Sequence, residues 1–261
     1  MNFAPKRWMG LGLGAAMIGA AGLTACGNEQ APVAAPAVAA DTHADHGGEG
    51  GDGEGEGGFA RIDAMKALPT EKRLAFMSGH VEAGLALYRA GAPDQAAKHL
   101  LHPVSETHAS ERAGLDALGF KPEVFEQVSA GLDAGKPASE VEPLLVEAEA
   151  NIAAMRAAAG GEPKELIEYL MLTLADEYDA GVDDGVIVNA GEYQDAYGFA
   201  VVARDIAAAQ DPEVYGALRT ELDMLILMWP GKGPLADSTP APEALMAEAL
   251  ERVKSAIANL A

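Results

Sequence analysis

The segment His99–His108, with the sequence HLLHPVSETH, holds the densest group of metal-ligand types in the chain. Pro103 disfavours helical geometry at His102, so one helix should end just before it and another begin at the proline. The predicted kink places His102 and Glu106 at a helix junction, where side chains from two directions could reach one ion, and His99 lies one turn earlier. The alternative is that Glu106 stabilises the first turn of a helix through the helix dipole.

A second histidine belongs to the predicted helix 70–90. Phe76, Ala83 and Leu87 recur around His80 at helical spacing, so its ring should lie on the apolar face and point into the protein. A buried imidazole needs a hydrogen-bond partner or a metal ion, because an unpaired buried polar group costs about 1–3 kcal/mol. Both interpretations, a metal ligand and a core histidine bonded to a carbonyl or carboxylate, stay open.

Two acids form the third group of candidates. Glu192 and Asp195 share a helix face with the apolar residues Phe199 and Val202, which the spacing predicts to be buried. Carboxylates on an apolar face need a cation, a histidine or another base nearby. Their place in the first turn of a helix offers an alternative, since the N–H groups and the dipole of that turn can satisfy both acids.

The elements that must position these residues are predicted to be helices. Apolar residues recur at intervals of three and four, the breaks fall at Gly and Pro, and no strand is predicted. Short loops favour antiparallel packing, so the fold class is an all-α antiparallel helical bundle. The predicted helices are 61–68, 70–90, 93–101, 104–118, 121–134, 139–158, 163–183, 189–209, 212–228 and 242–260.

The N-terminal part reads as an export signal followed by a tether. Residues 1–25 carry two basic residues and a short apolar run, which is the layout of a signal peptide. The LTAC sequence that ends at Cys26, the sole cysteine, resembles the lipobox of bacterial lipoproteins, which implies lipidation at Cys26. Residues 26–58 are predicted to be a flexible tether and residues 59–261 the bundle. Gly27 favours anchoring in the outer membrane, facing the periplasm, over the inner membrane.

The charge of the chain excludes some ligands. There are 18 Lys and Arg residues against 40 Asp and Glu residues, a net charge of −22. Such a surface repels nucleic acid and anionic lipid headgroups but attracts cations. His43 and His46 lie among acids in the tether, where a plain soluble spacer is favoured over a metal-scavenging tail.

One segment also resembles a known family. In EYDAGVDDGVIVNAGEYQDAYGF, within residues 172–206, an acid and a tyrosine follow a short Asp-Gly turn. This segment is similar to the periplasmic helical portion associated with bacterial high-affinity iron permeases. Imelysin-type iron lipoproteins are a more distant likeness, and the spacing of Gly79, His80 and Glu82 differs from theirs. The permeases' membrane motif is absent, so the resemblance implies a partner of a metal transporter rather than a transporter.

Together these features predict a periplasmic, membrane-anchored metal-binding lipoprotein that takes part in the uptake or handling of iron or another transition metal. Imidazole and carboxylate ligands suit iron, copper or zinc without choosing among them. The alternative is an envelope scaffold that docks a protein partner or an apolar ligand without metal. No nucleophile elbow, phosphate loop or HExxH motif is present, so we do not expect an enzyme. The candidate ligands are His80, His99, His102, Glu106, Glu192 and Asp195.

Overall fold

A computed structural model describes residues 65–105, 109, 112–231 and 233–260. The first half of this part consists of four α-helices that begin at or next to a proline, where the missing N–H costs no hydrogen bond. They are α1 (Thr70–Arg89), α2 (Pro93–Leu101), α3 (Pro122–Asp133) and α4 (Ala138–Ala159). Two short 3-10 helices, His102–Val104 and Leu115–Leu118, connect α2 to α3.

The second half contains four further helices and one small hairpin. The helices are α5 (Pro163–Gly181), α6 (Ala190–Ala208), α7 (Pro212–Ile226) and α8 (Glu243–Ala258). All eight helices lie within one or two residues of their predicted bounds, which confirms the all-α fold class. Of the predicted helix 61–68, the first four residues lie outside the described residues. No helix within the described ranges has the length and apolar character that a membrane span requires.

The predicted helix 104–118 is wrong. After Val104 the chain leaves helical geometry at Ser105, whose backbone is extended. The described residues 112–114 form a turn, and Gly114 and Gly119, both with positive φ, bracket the short 3-10 helix. A positive φ cannot continue a right-handed helix, so the glycines divide a segment that its apolar spacing presented as continuous.

The expectation that no strand would form is also wrong, at a small scale. Strands β1 (Val182–Asp183) and β2 (Val186–Ile187) pair antiparallel. Asp184 and Gly185 between them have φ angles of 49° and 74°, the left-handed pair that a two-residue hairpin turn requires. The sequence predicts only a short Asp-Gly turn here, because two-residue strands are too short to show alternation.

Two hydrophobic cores share helix α1. Ala75 and Phe76 of α1 pack into the core formed mainly by α5–α8. Leu74 and Met77, on the other side of the same helix, pack into the core formed by α2–α4. Helix α1 is therefore buried around most of its circumference, and it holds the two halves of the bundle together.

Candidate metal centre

A buried carboxylate with two imidazole rings lies between helices α1, α2 and α6. Oδ1 of Asp195 lies 2.6 Å from Nδ1 of His80 and 2.9 Å from Nδ1 of His99. One ligand atom from each of these three side chains can be chosen so that all lie within 4.8 Å of one another. All three residues are less than 9% exposed. Groups separated by 96 and 115 residues in the sequence thus converge on one oxygen atom.

Glycines permit the helix contacts that bring these groups together. A Cβ atom added at Gly198 would overlap the backbone carbonyl of Gly79, and one added at Gly79 would overlap the ring of Phe199. Helices α1 and α6 therefore touch backbone to backbone, beside His80 and one turn from Asp195. At Gly84 an added Cβ would lie 2.7 Å from Cγ of Leu100, so α2 also packs closely on α1 and brings His99 inward.

The electrostatics of the cluster favour an ionised Asp195. Burial by itself raises the pKa of this carboxyl, but the positive charges of His80 and His99 and the hydrogen bonds from their rings outweigh it. The pKa of Asp195 therefore lies well below its ordinary value. The ionised carboxylate of Asp195 is therefore a buried anionic acceptor, which favours a proton or a metal ion between Oδ1 and each ring nitrogen.

Aromatic rings cover the cluster on one side. The ring of His102 stacks on that of His80, with centroids 3.6 Å apart and planes at 15°. Phe76 meets His80 edge to face at 4.7 Å, and Phe199 does so at 5.5 Å. His102, in the 3-10 turn after α2, thus lies against the face of a candidate ligand ring.

The structure brings together some of the predicted ligands and separates others. His80, His99 and Asp195 meet directly, and His102 contacts His80. Glu192 is half-buried in the first turn of α6 and is not part of the cluster. It shares a helix face with Asp195 but lies one turn closer to the start of α6. The remaining candidates lie outside the described residues, and they are Glu106, Cys26, His43 and His46.

Two glutamines that the sequence did not single out extend the cluster, one by contacting His99 and the other by contacting the first glutamine. Nε2 of His99 lies 2.7 Å from Oε1 of Gln194, and Nε2 of Gln194 donates to Oε1 of Gln95. A local signal existed, since Gln95 precedes His99 by four residues on one helix face and Gln194 adjoins Asp195. That signal is weak, because glutamine at such positions is common on exposed helix surfaces.

The donor set matches what transition metals bind. Two imidazole nitrogens and one carboxylate oxygen suit iron(II), zinc or copper, and with open positions they are the set used by non-haem iron(II) sites. Ligands of a tetrahedral ion lie about 3.3 Å apart, so a bound ion would require the Nδ1 and Oδ1 atoms to separate by about half an ångström. Side-chain rotation can provide such a change. The residues therefore fit a metal ion chemically.

Comparison with known proteins adds one match. Residues 163–260 match the family model of the iron permease-associated 4-helix bundle domain, and this range spans helices α5–α8. The match confirms the resemblance predicted at residues 172–206 and extends it to the whole second half. The family description names no catalytic activity. Searches of curated proteins and of solved structures gave no match, so the likeness to imelysin-type proteins stays a prediction.

Proposed function

We propose that this protein is a metal-handling lipoprotein of the bacterial envelope that binds a divalent transition-metal ion through His80, His99 and Asp195. The observation that carries the proposal is the convergence of their two Nδ1 atoms on one buried carboxylate oxygen. Each ligand comes from a different helix, so the site exists only in the folded protein.

Iron is the first candidate for the ion, and copper and zinc follow. The description of the matched domain associates it with iron permeases, and the acidic surface would concentrate cations near the site. We infer that the partner is a membrane transporter of metal ions, to which this protein delivers or from which it receives its cargo. Lipidation at Cys26 would hold the protein in the periplasm at the outer membrane, within reach of such a partner.

Metal-dependent stability tests the binding site. The purified protein is treated with a chelator and then titrated with Fe(II) under anaerobic conditions, and with Cu(II) and Zn(II), while the melting temperature is recorded. An ion that binds only the folded state should add about 2.7 kcal/mol at a hundredfold excess over its dissociation constant. His80→Ala should abolish the shift, and equilibrium dialysis of the folded variant measures the same loss directly.

Two variants serve as controls for this experiment. Glu192→Gln changes an acid of the same helix that lies outside the cluster, and it should leave the shift unchanged. The double variant His43→Ala, His46→Ala removes the other histidines that precede the bundle and should also bind normally. A shift that persists in His80→Ala, or no shift with any ion, contradicts the proposal and favours a docking scaffold with a charge-balanced core.

The anchor is tested separately from the metal site. Metabolic labelling with a clickable fatty acid should mark the wild-type protein and fail to mark Cys26→Ser. Membrane fractionation should then find the wild type in the outer membrane and the variant in the periplasmic extract. Labelling of the Cys26→Ser variant would contradict lipidation at this residue, and recovery of the wild type in the inner membrane would contradict the position of the anchor.

A further inference from the structure

A chain of two glutamine amides connects the His99 ring to the backbone of a distant segment. Nε2 of His99 lies 2.7 Å from Oε1 of Gln194, and Nε2 of Gln194 lies 2.5 Å from Oε1 of Gln95. The backbone N–H of Ala236 donates to the same Gln95 oxygen at 3.3 Å. Gln194 is buried and Gln95 half-buried. The chain therefore runs from the α7–α8 connection into the candidate metal centre.

The backbone N–H at one end determines the direction of every hydrogen bond in this chain. Because the N–H of Ala236 can only donate, the Gln95 atom that faces it must be the oxygen. That oxygen also faces Gln194, so Gln194 must present its NH₂ group to Gln95 and its own oxygen to His99. An oxygen accepts, so His99 must carry a proton on Nε2.

This proton decides which atom of His99 is available as a ligand. With the proton on Nε2, a neutral ring has its lone pair on Nδ1, which lies 2.9 Å from Oδ1 of Asp195. Two lone pairs at that distance repel, so the contact needs a cation between the atoms, either a second proton on the ring or a metal ion. The amide chain therefore prepares His99 for one mode of metal binding.

We propose that Gln95 and Gln194 are positioning residues that keep the proton of His99 on Nε2 and present Nδ1 to the ion. The part of this inference that concerns the ion rests on the proposed function, whereas the part that concerns the proton does not. Partners that hold the far nitrogen of a ligand histidine orient the ring, and their loss typically weakens metal binding about 10- to 100-fold. The same loss is expected here when the chain is interrupted at Gln95.

The test compares two substitutions of Gln95. Gln95→Met keeps the length of the side chain but cannot hydrogen-bond, so the Gln194 amide loses its fixed orientation. Gln95→Glu keeps two acceptor oxygens for the N–H groups of Ala236 and Gln194 and should rescue the chain. Gln127→Met, at an exposed glutamine of α3, is the matched control. Zn(II) affinity is measured by competition with a chromophoric chelator, and ¹⁵N-histidine NMR identifies the protonated ring nitrogen.

In the chelator-treated wild type we expect a His99 Nε2–H resonance protected from exchange with water, and in the Zn(II) form the same proton with the ion on Nδ1. Gln95→Met should lose the protection and bind Zn(II) at least about 10-fold more weakly, while Gln95→Glu and Gln127→Met should resemble the wild type. Zinc bound to Nε2 of His99 overturns the inference. A Zn(II) affinity of Gln95→Met equal to that of the wild type overturns it as well. If the wild type binds no ion, the proposed function fails, and the protected Nε2–H still tests the amide chain by itself.

Discussion

The two halves of the bundle contribute differently to the candidate centre. Helices α5–α8 match an iron permease-associated domain, whereas the match does not cover α1–α4. The matched half supplies the acid Asp195, and the other half supplies both imidazole rings, His80 and His99. Likeness to the family therefore cannot by itself account for the site. The ion-binding geometry depends on how the first half packs against the second.

Two acids on helices of the two halves have pKa values shifted in opposite directions. Asp195 on α6 has a pKa held well below its usual range by His80 and His99. Glu82 on α1 has a pKa raised from 4.5 to about 7, chiefly because burial disfavours its charge. The charge of Arg156 opposes this rise, and the charge of Asp205 on α6 adds to it. The comparison shows that an acid is ionised where imidazole rings face it and resists ionisation where the cost of burial exceeds the help of a nearby positive charge.

The largest effect is expected from the acid that links the halves. Asp195→Asn removes the buried carboxylate that both imidazole rings contact, which should cost about 3–5 kcal/mol of unfolding free energy and remove ion binding. Urea denaturation at pH 7.5 measures the first and equilibrium dialysis the second. Glu192→Gln, one turn earlier, should change neither. A loss of unfolding free energy below about 1 kcal/mol for Asp195→Asn would show that the shared carboxylate contributes little to the contact between the two halves.

A smaller effect is expected from the close crossing of α1 and α6. Gly198→Ala places a Cβ atom onto the carbonyl of Gly79, so the helices must separate and the unfolding free energy should fall by about 3 kcal/mol. Separation also moves His80 from Asp195, so ion affinity should fall with stability. Gly216→Ala is the control, because its Cβ would meet no atom within 4 Å apart from the adjacent backbone of its own helix, and alanine favours a helix. Equal effects of the two substitutions would contradict a tight crossing.

Glu82 should make stability depend on pH. Its pKa is higher in the folded protein, so the folded state binds more protons between pH 4.5 and about 7 and loses stability as pH rises through that window. Allowing for the partial exposure of the side chain, we expect a loss of about 2 kcal/mol. Glu82→Gln should flatten the profile of melting temperature against pH. Glu168→Gln, an exposed acid of α5, should leave it unchanged. A profile with the same slope in both variants would assign the dependence to other groups.

The smallest effect is expected within the matched half, away from the centre. The hydroxyl of Tyr178 donates to the carbonyl of Ala241 at 2.6 Å. Tyr178→Phe removes this bond and should cost about 1 kcal/mol without changing ion affinity. Denaturation and dialysis of the same sample check both statements. A change in ion affinity would mean that α5–α8 influence the centre through more than Asp195 and Gln194.

Much of the architecture could be predicted because the signals are local. Each helix from α1 to α8 has its own apolar spacing and a local start signal, which is a proline for seven helices and the capping Asn189 for α6. These bounds therefore do not depend on distant residues. The inward direction of His80 and of Asp195 follows from the same spacing. The segment 104–118 failed because glycines with positive φ interrupt it, and apolar spacing contains no information about φ.

The sequence by itself therefore determined an acidic, all-α chain with particular imidazole and carboxyl groups turned inward. Only the tertiary structure decided that His99 rather than His102 shares Asp195 with His80, and that Gln194 and Gln95 hold the far side of the His99 ring. The physical reason is distance along the chain. Helical periodicity orients a side chain relative to its own helix axis, whereas a meeting of side chains about a hundred residues apart depends on how closely the helices can cross, and here glycines set that approach.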